Sequence, residues 1–135
     1  MIVGVDTNVL LRLFLKDDPE QLAEVRAMVD RVAEAGGSLY VPQTVLCELA
    51  WVLSVKAGFA RDRVAEAVRG LVETAMIEVE GRDAVCAALE RHATTGAGFA
   101  DCLIVENALA AGASSFATFD RSLLRTEACI EPGAV

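Results

Sequence analysis

The first five residues, Met1-Ile2-Val3-Gly4-Val5, are uncharged and strand-like, and they run straight into the carboxylate of Asp6. Thr7 and Asn8 follow, and Val9-Leu10-Leu11-Arg12-Leu13-Phe14 then has helical rather than alternating character. A strand that passes into a helix with no linker between them belongs to an α/β fold, where ligands collect beyond the carboxyl ends of the strands. Asp6 stands at such an end. The question this sets for the remaining residues is whether other acids are placed to meet it.

The chain keeps alternating between the two kinds of element. Asp18-Pro19-Glu20-Gln21 reads as a helix start, with Asp18 as cap, Pro19 at the first helical position and Gln21 completing a capping box. Leu22, Val25, Val29 and Val32 fall on one face of that helix, and Gly36-Gly37 ends it. Strands are expected at 38–41, 75–79, 115–119 and, as a last edge, 127–130; helices are expected at 44–56, 60–73, 82–94 and 99–111, with a helical turn at 122–124. Strands separated by helices predict a parallel sheet with right-handed crossovers and helices on both faces. The expectation is one domain, residues 1–135, with three α/β/α layers around four to five parallel strands. Strands covered on both faces should be apolar throughout, and residues 2–5 and 116–119 comply. No G-x-G-x-x-G follows Val5, which argues against a dinucleotide fold.

Composition narrows the class. The chain is 54% hydrophobic, yet no apolar run approaches the roughly 18 residues of a membrane span. No basic region precedes the N-terminal apolar run, so neither a signal peptide nor a membrane role is expected, and the predicted location is the cytoplasm. The surplus apolar surface points instead to a partner interface. Cys47, Cys86, Cys102 and Cys129 are widely spaced with no C-x-x-C pair, and read as small buried hydrophobes. The single histidine, His92, sits among Glu90, Arg91, Thr94 and Thr95 and reads as a solvated helix end. A net charge of −8 argues against non-specific nucleic-acid binding. Divalent cations held by several carboxylates would reverse the local field and remove that obstacle.

Four acids stand apart from the polar helix faces. Asp6 ends the first strand and Asp120 the fourth; Glu48 is the one charge between Val41 and Val55; Asp101 is the one charge in Phe99-Ala100-Asp101-Cys102-Leu103-Ile104-Val105. An ionised carboxylate in apolar surroundings costs several kcal/mol unless paired or bound to metal. None of the four has a basic residue three or four positions away on a shared helix face. Gathered together they would repel one another, and a hard, oxygen-preferring cation such as Mg²⁺ or Mn²⁺ would relieve that repulsion. Plainer roles stand beside this one. Asp6 and Asp120 are also suited to cap the helices that follow them, and Asp101 to complement a helix dipole.

Val5-Asp6-Thr7-Asn8, Cys47-Glu48-Leu49, Phe99-Ala100-Asp101-Cys102-Leu103-Ile104 and Thr118-Phe119-Asp120, in this order and spacing, resemble the PIN-domain nucleases, most closely the VapC-type toxins of toxin–antitoxin pairs. The resemblance runs over essentially the whole chain. It implies a metal-dependent ribonuclease in which Asp6, Glu48, Asp101 and Asp120 hold one or two Mg²⁺ or Mn²⁺ ions. Hydrolysis of RNA would leave 5′-phosphate and 3′-hydroxyl ends and would need no histidine. Thr7, Asn8 and Thr118 are placed to orient the acids or water, or simply to cap and turn. Arg12, Arg121 and Arg125 are the better candidates for RNA phosphates, ahead of the basic stretch Lys56, Arg61, Arg63 and Arg69. A homodimer and a VapB-like antitoxin are the implied partners, with the helices at 22–32 and 45–55 as candidate contact surfaces. The alternatives fit less well. A phosphatase of the haloacid-dehalogenase kind wants a second Asp where Asn8 stands, a receiver domain wants a lysine after a late strand, and a PIN fold used only for binding would have lost some of the acids.

Overall fold

The computed structural model describes residues 1–135, and its elements start and stop where local chemistry dictates. Two compact units are distinguished, Met1–Glu80 and Gly81–Val135.

In the first unit β1 (Ile2–Gly4) leads into α1 (Thr7–Phe14), and α2 (Pro19–Glu34) follows. Asp18 caps α2 as its sequence requires, its Oδ1 accepting the Gln21 N–H at 3.0 Å. Gly36, with φ +68°, ends it; the Gly36 and Gly37 N–H groups close on Ala33 and Val32 carbonyls, both at 2.9 Å. Gly37 is needed for a second reason, since a Cβ there would collide with the Met1 carbonyl. The same carbonyl accepts the Ser38 N–H at 3.0 Å and so registers β2 (Ser38–Val41) against β1. Next come α3 (Gln43–Trp51), a π-helical turn (Val52–Lys56), α4 (Arg61–Glu73) and β3 (Ile77–Val79). The strands pair in parallel in the order β1-β2-β3, with Val3 opposite Leu39 and Leu39 opposite Ile77. Leu10, Leu39, Val41, Leu46, Leu49, Leu53 and Val68 form the buried core. α1 packs on α2 and α3, and α4 packs on β3.

The second unit is built on a helical hairpin, α5 (Arg82–Thr94) against α6 (Phe99–Ala110), followed by β4 (Phe116–Ala117), α7 (Arg121–Leu124), β5 (Cys129–Ile130) and a short turn, Pro132–Ala134. β4 and β5 pair in parallel. Val85, Ala88, Leu89 and His92 of α5 and Phe99, Cys102, Leu103 and Val105 of α6 are the buried residues of the hairpin. Arg91 ties this unit together. Its Nε donates to Glu106 Oε1 at 2.8 Å, and one terminal nitrogen donates to Thr126 Oγ1 at 2.6 Å and to the Glu127 carbonyl at 3.0 Å. The loop before β5 is thereby fastened to both helices of the hairpin.

All pairings are parallel and all crossovers helical, as an α/β chain requires, with five strands divided three and two between sheets. Three expectations are corrected. His92 is buried, not solvated: it lies on the Val85, Ala88, Leu89 face of α5, and its Nδ1 meets the Ala97 carbonyl at 2.9 Å. A carbonyl only accepts, so Nδ1 carries the proton. The strand ends are less covered than continuous apolar sequence suggests, with Ile2 64% and Phe119 83% exposed. The strands at 75–79, 115–119 and 127–130 are trimmed to the residues that find a partner. The four cysteines form no disulfide, Cys102 and Cys129 being buried and Cys47 and Cys86 half-buried. No helix is long and apolar enough to cross a membrane.

Replacing Arg91 by Ala strands Glu106 in a site where both side chains are largely covered. The loss expected is about 3 kcal/mol, as for breaking a buried ion pair by removing one partner. A fall in the urea unfolding midpoint at unchanged slope measures it.

Candidate functional site

In the first unit the site residues sit at the start of α1 and along α3. Asp6 is the N-cap of α1, with an extended backbone (φ −98°, ψ 178°) and its Oδ1 accepting the Val9 N–H at 3.2 Å. The bond uses one carboxylate oxygen and leaves Oδ2 without a partner. Capping and ligation are therefore compatible, because the backbone fixes the direction of the oxygen it does not use. Thr7 is buried, and its Oγ1 finds no hydrogen-bond partner. An orphaned hydroxyl is costly, and this one lies beside the Asp6 carboxylate in the chain.

Glu48 differs from its sequence expectation. The run from Val45 to Leu53 suggests a carboxylate immersed in apolar side chains, but Leu46, Leu49, Ala50 and Leu53 turn inward while Glu48 is exposed. The outer face of α3 carries apolar residues of its own, Trp51 at 53% exposure, and Val55 at 62% follows in the π turn. A hollow of about 580 Å³ opens here, lined by Thr7, Asn8, Arg12, Glu48, Trp51 and Lys56 among others. Arg12 is engaged by Asp17 at 2.8 Å, and its Nε is buried without a partner, so it is less available to a phosphate than its position in the sequence implies.

In the second unit Asp101 and Asp120 form a pair of their own. Asp101 is the third residue of α6, in the first turn after the Gly98 cap. A Cβ on Gly98 would come within 3.6 Å of Asp101 Oδ2, so the carboxylate leans back over the helix start, where the peptide dipoles favour negative charge. Asp120 caps α7, its Oδ1 accepting the Ser122 and Leu123 N–H groups at 2.8 and 3.1 Å. Its own N–H donates to Thr118 Oγ1 at 3.0 Å. Thr118 thus shapes the turn that aims Asp120, and Oδ2 again stays without a partner. The Asp101 pKa is raised, first by the protein packed around its carboxyl and second by the negative charge of Asp120. Arg121 and Arg125 are exposed at the two ends of α7.

All four acids are exposed, so none is immersed as the sequence implies; Asp101 still carries part of the burial penalty, ahead of the repulsion from Asp120. In each unit taken by itself the candidate donors are carboxylate oxygens, Asp6 and Asp120 each using Oδ1 in a cap, with the orphaned Thr7 hydroxyl beside Asp6 in the first unit. Such a set suits a hard divalent cation and suits thiophilic metals poorly. Within neither unit do three histidine, cysteine or carboxylate side chains gather into a metal-holding cluster; the second unit offers the Asp101–Asp120 pair. Sequence reasoning misses Trp51, although a lone tryptophan one turn beyond a singled-out glutamate is there to be read.

Residues 3–128 match the PIN domain family. The chain is also similar to a VapC ribonuclease of Aquifex aeolicus (strain VF5), with 26% identity over 117 residues that cover 87% of this chain and 86% of the relative. The family match takes in Asp6, Glu48, Asp101 and Asp120 and both structural units, and the chain belongs to the PIN-domain family.

Proposed function

We propose that this chain, acting as one PIN-like domain over residues 1–135, is a VapC-type endoribonuclease, the toxin of a type II toxin–antitoxin pair. The observation that carries the reading is the similarity to a VapC ribonuclease over 87% of this chain, and the four acids that resemble the PIN pattern agree with it. Asp6, Glu48, Asp101 and Asp120 would hold Mg²⁺ or Mn²⁺. Such an ion, when bound, supplies a water acidic enough to ionise near neutral pH and positive charge for the phosphate in flight. Hydrolysis in this manner leaves a 5′-phosphate and a 3′-hydroxyl, and uses neither a histidine nor the RNA 2′-hydroxyl as nucleophile.

The chain's own contribution is placement. Backbone N–H groups hold Oδ1 of Asp6 and of Asp120, which leaves the second oxygen of each for work. Thr118 fixes the Asp120 turn, and Thr7 and Asn8 stand beside Asp6 to steer carboxylate or water. His92 is held within its own unit by the Ala97 carbonyl, in keeping with a structural role. Arg121 and Arg125, being exposed, are better placed than Arg12 to meet phosphates. A cognate VapB-like antitoxin, a second copy of the chain and a cytoplasmic setting complete the reading. The exposed apolar side chains Ile104 and Phe119 leave room for such contacts.

Asparagine caps a helix as well as aspartate does, so Asp6→Asn and Asp120→Asn keep the caps and remove only charge. RNA cleavage by Asp6→Asn and by Asp101→Asn is expected to fall by more than about a hundredfold, beyond the loss typical of groups that only support a metal ligand. Circular dichroism should show the fold unchanged. Cleavage that persists undiminished in EDTA would overturn the metal assignment.

A second test uses stability alone. Because the native Asp101 pKa lies above the ordinary 3.8, its contribution is fully present below that value and is lost as pH rises through the raised one. An asparagine side chain cannot ionise, so without metal Asp101→Asn should be more stable than wild type at neutral pH. The advantage should vanish once the pH falls below the ordinary carboxylate range. Urea midpoints across that range, in EDTA, measure both limbs.

A further inference from the structure

Trp51 is the chain's single tryptophan, and the indole is left 53% exposed one helical turn after Glu48. A large apolar ring in water ordinarily marks a contact surface. Its neighbours are not those of an apolar interface, however. The hollow it lines with Glu48 also takes in Thr7, Asn8, Arg12 and Lys56. Lys56 Nζ lies over one face of the indole, 5.5 Å from its centroid, in a cation–π contact and makes no ion pair, whereas Arg12 is already committed to Asp17.

The backbone accounts for the Trp51–Lys56 pairing. In an α-helix, residues five apart point well away from each other. Directly after Trp51 the helix widens into the π turn, closed by the Ala57 N–H on the Val52 carbonyl at 2.9 Å, and the wider turn carries Lys56 back toward the ring. Such turns are uncommon and concentrate at functional positions.

Resting on the ribonuclease reading above, we infer that Trp51 is a stacking platform for an unpaired RNA base beside Glu48, with Lys56 serving the adjoining phosphate. The chemistry is that of single-strand recognition, where an aromatic face takes a base and a nearby cation takes the backbone. An RNA duplex keeps its bases stacked on one another and offers none to the indole. The competing occupant is a protein surface, a second copy or a partner chain, to which the ring and Val55 would give apolar area.

Because Trp51 is the lone tryptophan, its fluorescence reports on this position directly. In the Asp101→Asn protein, a short single-stranded RNA should quench the emission, and the same sequence annealed into a duplex should not. In the otherwise wild-type enzyme, Trp51→Ala should raise KM for the single-stranded RNA about tenfold with kcat little changed, and Trp51→Phe should restore most of the loss. Equal quenching by duplex, or no quenching by either RNA, overturns the platform. So does an unchanged KM in Trp51→Ala accompanied by altered self-association in sedimentation, which assigns the ring to a second copy. A wild-type protein that cleaves no RNA would overturn the functional reading instead, and the fluorescence titration would still decide whether the indole stacks on a base.

Discussion

The arrangement of this chain depends on what the start of a helix does to a carboxylate. Backbone N–H groups in the first turn lack partners within the helix, and an acid placed there accepts them at little cost. Asp6 and Asp120 each give one oxygen to that purpose and keep one back, and Asp101 leans over the opening of its own helix. Three of the four acids are therefore aimed by backbone rather than by neighbouring side chains. Backbone is the more dependable support, because its position follows from the helix as a whole and not from one rotamer. Glu48 is the exception, standing mid-helix on the outer face of α3 with no cap to fix it.

This explains why the cap and ligand readings of the same residues do not compete. A carboxylate with both oxygens in a cap would be spent, and one with neither would swing freely. One oxygen bound and one open gives direction with capacity left over. The remaining cost is one of burial and repulsion: Asp101 holds its proton more tightly, first because protein is packed around its carboxyl and second for the charge of Asp120. Sites that bind cations commonly carry such repulsion in their unloaded state, and the protein tolerates it because the surrounding helix starts offset part of it.

Much of this is legible in the residues. The start of α2 is written in Asp18, Pro19 and Gln21, its end in Gly36 and Gly37, and α5 falls on the expected span from Arg82 to Thr94. These signals are local, and local chemistry decides them. The shortfalls arise where local signals conflict or where a partner element decides. The charged neighbours of His92 in sequence point to solvent, whereas its spacing from Val85, Ala88 and Leu89 places it on the inner face. The apolar run around Glu48 points to immersion, but α3 leaves Trp51 exposed, and an apolar sequence does not say which face is covered. The strands at 75–79 and 115–119 are shorter than their residues suggest because a strand is made by its partner, and pairing is not written in one segment. The widening of the helix after Trp51 has no local signature that we can identify.

The acidity of the chain bears on how an RNA would be held. A protein of net charge −8 gains little from releasing counterions along a phosphate backbone, since it brings few cations to exchange for them. Its basic side chains are also partly committed, Arg12 to Asp17 and Arg91 to Glu106. Stacking does not draw on net charge: a base has a π-face whatever the field around it, and an indole accepts it without a salt-dependent cost. On the reading advanced for Trp51, affinity would come from one aromatic contact and a few positive points, and a cation bound by the carboxylates would offset their own charge. Selectivity would then favour RNA with an unpaired base to offer, because a mostly repulsive surface gives duplex little else to bind.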